Sequence, residues 1–177
     1  MLVSITTVFV GILLVNLCSA AYSDAALSCY QSFALSEYKQ AYKDCKKAAR
    51  NGDSESQFKL ATLYARGQGV KKDLEDSTKW LQQSAEQGHA GAQHNLGVAY
   101  QQGSGLKIDK ESAADNYRLS AVSGNVKSQR NLAYMYERGD GIDQDLYKAY
   151  QWHLRSAENS LASGQLKVGL MLLKGEG

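Results

Sequence analysis

At 177 residues and a formal net charge of +2, the chain has room for one compact domain or one short solenoid. Its lysines and arginines form no run interleaved with aromatics, so nucleic acid is excluded as a partner and acidic partners are not implied. With 16 glycines and no proline, helices can run unbroken, but their turns must be made with glycine. Eleven tyrosines against three phenylalanines point to rings that fill gaps while keeping a polar edge near water.

The first element is an export segment. Residues 2–21 carry no charged side chain, and Val8 to Leu17 is a continuous apolar run the length of a signal-peptide core. The small residues Cys18, Ser19, Ala20 and Ala21 follow it and suit a signal peptidase, which makes 1–21 a signal peptide. No lysine or arginine precedes the run. The alternatives are an uncleaved membrane anchor over 2–21, short of the about 20 apolar residues a spanning helix needs, and a lipid-modified Cys18. A membrane is therefore a partner only if the leader stays on.

After cleavage two cysteines remain, Cys29 and Cys45, and an even pair in an exported chain is most simply a disulfide. Two antiparallel helices turning near Ser36 bring the two positions opposite each other. The bridge closes a loop of about 16 residues and contributes about 3 kcal/mol on the chain-entropy model. Residues 22–53 thus read as a degenerate helical hairpin, with Ser36 capping its second helix.

The remaining elements repeat. A shift of 36 positions aligns Gln57, Gln93, Gln129 and Gln165, then Leu60, Leu96, Leu132 and Val168. It also aligns the small residues Ala61, Gly97, Ala133 and Gly169, and the column Tyr64, Tyr100, Tyr136 and Leu172. Two glycine columns follow, Gly67 to Gly175 and Gly69 to Gly177; then come Asp73, Asp109 and Asp145, the alanines Ala85, Ala121 and Ala157, and Gly88 with Gly124. Leu60, Ala61 and Tyr64 share one helix face. Gly67 sits where a left-handed C-cap belongs, and Asp73 is placed to cap a second helix over about Leu74 to Gln87. Each unit is an antiparallel helix pair that buries its apolar face only by stacking on the next. The units run 54–89, 90–125, 126–161 and, in part, 162–177.

This pattern, from Ser56 to Gly88 and again from Ala92 and from Ser128, resembles the Sel-one-like repeat, a relative of the tetratricopeptide repeat. The departures are Asn116 where tryptophan is usual and Ser160 where glycine is usual. The resemblance implies an all-α fold, an α/α solenoid of antiparallel helix pairs wound as a right-handed superhelix. It also implies an adaptor whose first helices line a concave groove that takes a protein or peptide. The groove rows are Phe58, His94, Arg130 and Leu166, and Thr62, Val98, Tyr134 and Leu170, which vary while the packing columns hold. The final helix carries Leu166, Val168, Leu170, Met171, Leu172 and Leu173, apolar surface suited to a partner or to self-association. The expected location is the periplasm or the extracellular space.

An enzyme is the competing reading. Ser36-Glu-Tyr-Lys39 and Ser104-Gly-Leu-Lys107 both fit S-x-x-K, and some cysteine-rich proteins with this repeat carry a β-lactamase label, so a β-lactam or cell-wall-peptide hydrolase is the alternative. Its companion motifs S-D-N and K-T-G are missing. Asp73, Asp109 and Asp145 are spread one per repeat rather than converging as an acid/base pair. His89, His94 and His153 lack metal-site spacing, so no catalytic residue, metal or cofactor is expected.

Overall fold

The computed structural model describes residues 24–158 and 162–175. The export segment with Cys18, and the positions Ser160 and Gly177, lie outside the described residues. Among the described residues all regular structure is helical, and the chain divides into one unit ending at Lys72 and another beginning at Asp73.

The first unit holds α1 (24–34), α2 (Tyr38–Arg50) and α3 (Ser54–Arg66). Cys29 of α1 and Cys45 of α2 are fully buried and joined by a disulfide with Cα atoms 4.5 Å apart, as the spacing predicts. Ala41, Ala48, Ala49, Leu60, Ala61 and Leu63 are also buried in this unit. Asp53 Oδ2 caps α3 by accepting from the Ser56 amide at 2.8 Å and also accepts from the Tyr30 hydroxyl at 2.9 Å, which ties α1 to the start of α3. Ser36 does not cap α2. Glu37 occupies the cap position without a side-chain bond, and Ser36 adopts φ 60° to reverse the chain. A capping side chain needs extended backbone; the left-handed turn denies Ser36 that geometry, and its hydroxyl accepts from Tyr38 instead, at 3.3 Å.

The second unit runs α4 (Leu74–Glu86), α5 (Ala90–Gln102), α6 (Lys110–Val122), α7 (Val126–Arg138), α8 (Leu146–Glu158) and α9 (Ala162–Lys174). Asp73, Asp109 and Asp145 cap α4, α6 and α8 through the amides of Asp76, Ser112 and Lys148 at 2.9 to 3.0 Å. The first helices have their own caps, which the sequence reading passed over: His89 Nδ1 accepts from Ala92, and Asn125 from Ser128.

Two glycine columns do different work. Gly103 and Gly139, at φ 72° and 66°, are left-handed C-caps. Gly105 and Gly141 lie against main chain of the preceding repeat. A Cβ on Gly105 would overlap the Leu74 carbonyl, and one on Gly141 the Lys110 carbonyl. Only glycine lets the loop come down onto the start of that earlier helix.

The core of this unit gathers Ala113, Ala114, Tyr117, Ala121, Leu132 and Met135, with Val98, Tyr100, Tyr136, Ile142 and Trp152 half-buried against it. Tyr117 is fully buried, and its ring lies over Gly97, where an added Cβ would stand 2.8 Å from two ring carbons. The glutamine column joins successive repeats. Gln93 and Gln129 donate to the carbonyls of Ala85 and Ala121 at 3.2 Å, and Gln165 to that of Ala157 at 3.5 Å. Gln57 does the same to Ala49 within the first unit, at 3.1 Å.

Candidate protein-binding face

The expected groove residues fall on the first helix of each pair. In the first unit Phe58 and Thr62 are half-buried on α3, and the Thr62 hydroxyl turns inward to donate to the Phe58 carbonyl at 2.9 Å. In the second unit the rows fall on α5 (His94, Val98), α7 (Arg130, Tyr134) and α9 (Leu166, Leu170). Hydrogen bonds from α5 to α7 and from α7 to α9 hold these helices side by side. The rows are less open than expected. His94, Arg130 and Tyr134 are half-buried and Val98 packs on the core, while Leu166 and Leu170 are exposed. His94 is covered by its bond to Ser128 of the next repeat, and Tyr134 by its edge-on contact with His153 of α8.

His94 belongs to a polarised chain. Ser120 donates to the Ala90 carbonyl at 2.7 Å, and Ser128 donates to Ser120 at 2.8 Å. Ser128 Oγ is then left to accept at 2.8 Å from His94 Nδ1, which fixes the proton there and leaves Nε2 an acceptor. Burial pushes the His94 pKa down, and the positive charges of Lys127 and Arg130 push it the same way.

Further along the face, Gln101, Asn131, Tyr134, Met135, Arg138 and Asp140 line a recess of about 150 Å³. Of these, Gln101 is held by the buried Tyr117, whose hydroxyl donates to Gln101 Oε1 at 2.9 Å. Burial raises the Tyr117 pKa, and a hydrogen bond from Asn131 opposes that. The Gln101 amide is thereby oriented. The Tyr134 ring stands edge-on to His153 with centroids 5.0 Å apart, and the Arg138 guanidinium lies 5.6 Å from its centroid. Asp140 is paired with Lys110 at 2.6 Å, and Glu137 with Lys167 of α9 at 2.6 Å. A larger recess of about 830 Å³ opens near the α7–α8 loop, where Arg118 pairs with Asp115 at 2.6 Å and Lys148 with Asp145 at 3.0 Å, while Glu111 and Asp143 give the lining a negative excess.

The final helix keeps Met171 buried and exposes Leu166 (68%), Leu170, Leu172 and Leu173 (86%). The serines of the two S-x-x-K matches lie in turns: Ser36 in the α1–α2 turn and Ser104 in the α5–α6 loop between Gly103 and Gly105. Neither is hydrogen-bonded to a histidine, lysine or carboxylate among the described residues. Each histidine is engaged separately, His89 as a cap, His94 on Ser128 and His153 in the core.

Comparison with known proteins matches the Sel1 repeat family model at residues 54–89, 90–125, 126–161 and 162–177. Among solved structures, the chain is similar to a protective antigen of uropathogenic Escherichia coli displaying an SLR fold, at 38% identity and a TM-score of 0.76, over 78% of this chain and 30% of that one. It is also similar to a Sel1 repeat protein from Oxalobacter formigenes, at 30% identity and a TM-score of 0.82, over 87% of this chain and 61% of that one. The chain therefore spans under two thirds of either relative. Cysteine rich protein B of Helicobacter pylori shares the fold at 17% identity and a TM-score of 0.55, over 70% of this chain and 93% of that one. No curated protein matches. Proteins built from these repeats are generally scaffolds for protein–protein interaction. With four successive matches over its all-helical repeats, the chain belongs to the Sel1 repeat family.

Proposed function

We propose that the protein is an exported scaffold that binds a protein or peptide on the face of its first helices. The observation that carries this reading is the recess beside Tyr134, where a buried phenol orients Gln101 and Asn131 lies beside an aromatic and a guanidinium. Preorganised polar groups next to tyrosine and arginine are what interfaces use as anchors. The Cys29–Cys45 disulfide supports an oxidising compartment, periplasmic or extracellular. Among the described residues no helix is long and apolar enough to cross a membrane.

Partner capture from the native source tests the binding face. The protein carrying Arg130→Ala and Tyr134→Ala is compared with wild type and with a control changed at Leu119 and Val122, which are exposed on α6. Loss of a partner in the first variant alone is the expected result, and an unchanged partner set overturns the reading. Phe58→Ala tests the first unit separately. For export, sequencing the N-terminus of the native protein should find it starting near Ala21; a retained Met1 would remove the cleaved leader.

A further inference from the structure

We infer that the first-helix face of the second unit selects an extended acidic peptide, gripping its main chain with Gln101 and Asn131 and its carboxylates with Lys127, Arg130 and Arg138. This rests on the binding face proposed above and names its ligand.

The formal charge of the whole chain, +2, hides a separation of charge on this face. Its two carboxylates are already answered, Glu137 by Lys167 and Asp140 by Lys110, each at 2.6 Å. Lys127, Arg130 and Arg138 have no carboxylate partner among the described residues. Arg138 rests on the Tyr134 ring, and Lys127 and Arg130 face the neutral His94. Three unanswered cations along one side of α7 form a positive strip, which a ligand of opposite charge would neutralise.

The amides supply the second half of the selection. Gln101 spends its Oε1 on the Tyr117 hydroxyl, which leaves its NH2 as a donor. Asn131 lines the same recess, and its side-chain amide can both donate and accept. The oriented Gln101 donor and the Asn131 amide, beside a recess of about 150 Å³, match the C=O and N–H of a peptide main chain. Tyr117 is fully buried, so the Gln101 amide is held in place before binding.

The test is to pan a random dodecapeptide library on the wild-type protein, on a Lys127→Glu, Arg130→Glu, Arg138→Gln variant, and on Tyr134→Ala with Asn131→Ala. Circular dichroism confirms that each variant is folded. Wild type should enrich aspartate and glutamate at least about threefold over the starting library, and the charge variant should lose or invert that bias. Methylating alternate main-chain nitrogens of a selected peptide should weaken binding about tenfold. Enrichment of neutral or basic peptides that the Tyr134 and Asn131 changes abolish would overturn the acidic ligand and leave the face standing. Equal retention by all three proteins would overturn both, and indifference to methylation would overturn the main-chain grip.

Discussion

The side-chain amide of Gln129 donates at 3.2 Å to the main-chain carbonyl of Ala121, eight residues earlier and on the preceding helix. That same carbonyl also accepts from the Gly124 amide at 3.1 Å. Three sequence columns, alanine, glycine and glutamine, therefore converge on one oxygen, and the arrangement recurs at Ala85 with Gly88 and Gln93. Because the oxygen keeps its glycine bond, Gln129→Leu should cost only about 1 kcal/mol in urea unfolding. Gln165→Leu should cost less, since Gln165 is exposed and 3.5 Å from its acceptor. A larger loss at Gln165 would contradict this account.

Gly97 and Tyr117 form a matched pair. Gly97→Ala gains about 1 kcal/mol in helix propensity but pushes a methyl into the ring at 2.8 Å, an overpacking that costs about 1–3 kcal/mol. A net loss is expected in the wild type and a neutral or favourable effect in a Tyr117→Leu background, leucine being the residue one repeat earlier, at Leu81. A double-mutant cycle measures the coupling. Strictly additive effects would show that the contact is not felt.

Removing the disulfide with Cys29→Ala and Cys45→Ala should lower stability by about 3 kcal/mol, because the bridge closes a span of 16 residues. Alanine avoids burying new hydroxyls at two sites with no exposure. Unfolding of the first unit, read by thermal melts with and without reductant, should be sensitive to reductant in the wild type and insensitive in the variant.

His153 makes the second unit sensitive to acid. It is fully buried, and neither ring nitrogen has a hydrogen-bond partner. Glu137 Oε2 lies 3.6 Å from Nε2, Lys167 pairs with that same carboxylate, and the Tyr134 ring covers the imidazole. Burial pushes its pKa below the ordinary 6.5, and Glu137 only partly opposes this. The unfolded chain therefore takes up the proton first, so stability is full above pH 6.5 and falls as pH drops through that value toward the folded pKa. His94, also lowered, acts in the same direction. The Glu137 pKa is held below 4.5 by Lys167 and His153 despite its burial, so its contribution is lost only in a more acidic window. His153→Leu should flatten the thermal midpoint between about pH 7.5 and 5.5. An equally steep decline in that variant would assign the effect elsewhere.

Most of the helical architecture was legible because the repeat writes it several times. Caps at Asp73, Asp109 and Asp145 and left-handed glycines at Gly67, Gly103 and Gly139 are local requirements, and periodicity shows them directly. The first-helix caps were missed because aspartate, histidine and asparagine all serve at positions 53, 89 and 125, so chemistry is kept while identity is not. Ser36 misled because serine suits both a cap and a left-handed turn. The binding face was legible only as positions. The polarity of the His94–Ser128–Ser120 chain depends on contacts between repeats, and the anchoring of Gln101 by Tyr117 on packing between two helices of one repeat. The cations of α7 were hidden in a near-zero total charge.

The contact of Gly105 on Leu74, repeated by Gly141 on Lys110, gives the stack a direction in time. Each loop closes over the helix start of the repeat before it. A ribosome delivers repeats from the N-terminus, so α4 emerges with its first turn uncovered and gains its lid only when the following repeat's loop has cleared the exit tunnel. Every newly made repeat is thus provisional until its successor arrives, and synthesis runs one repeat ahead of completed structure.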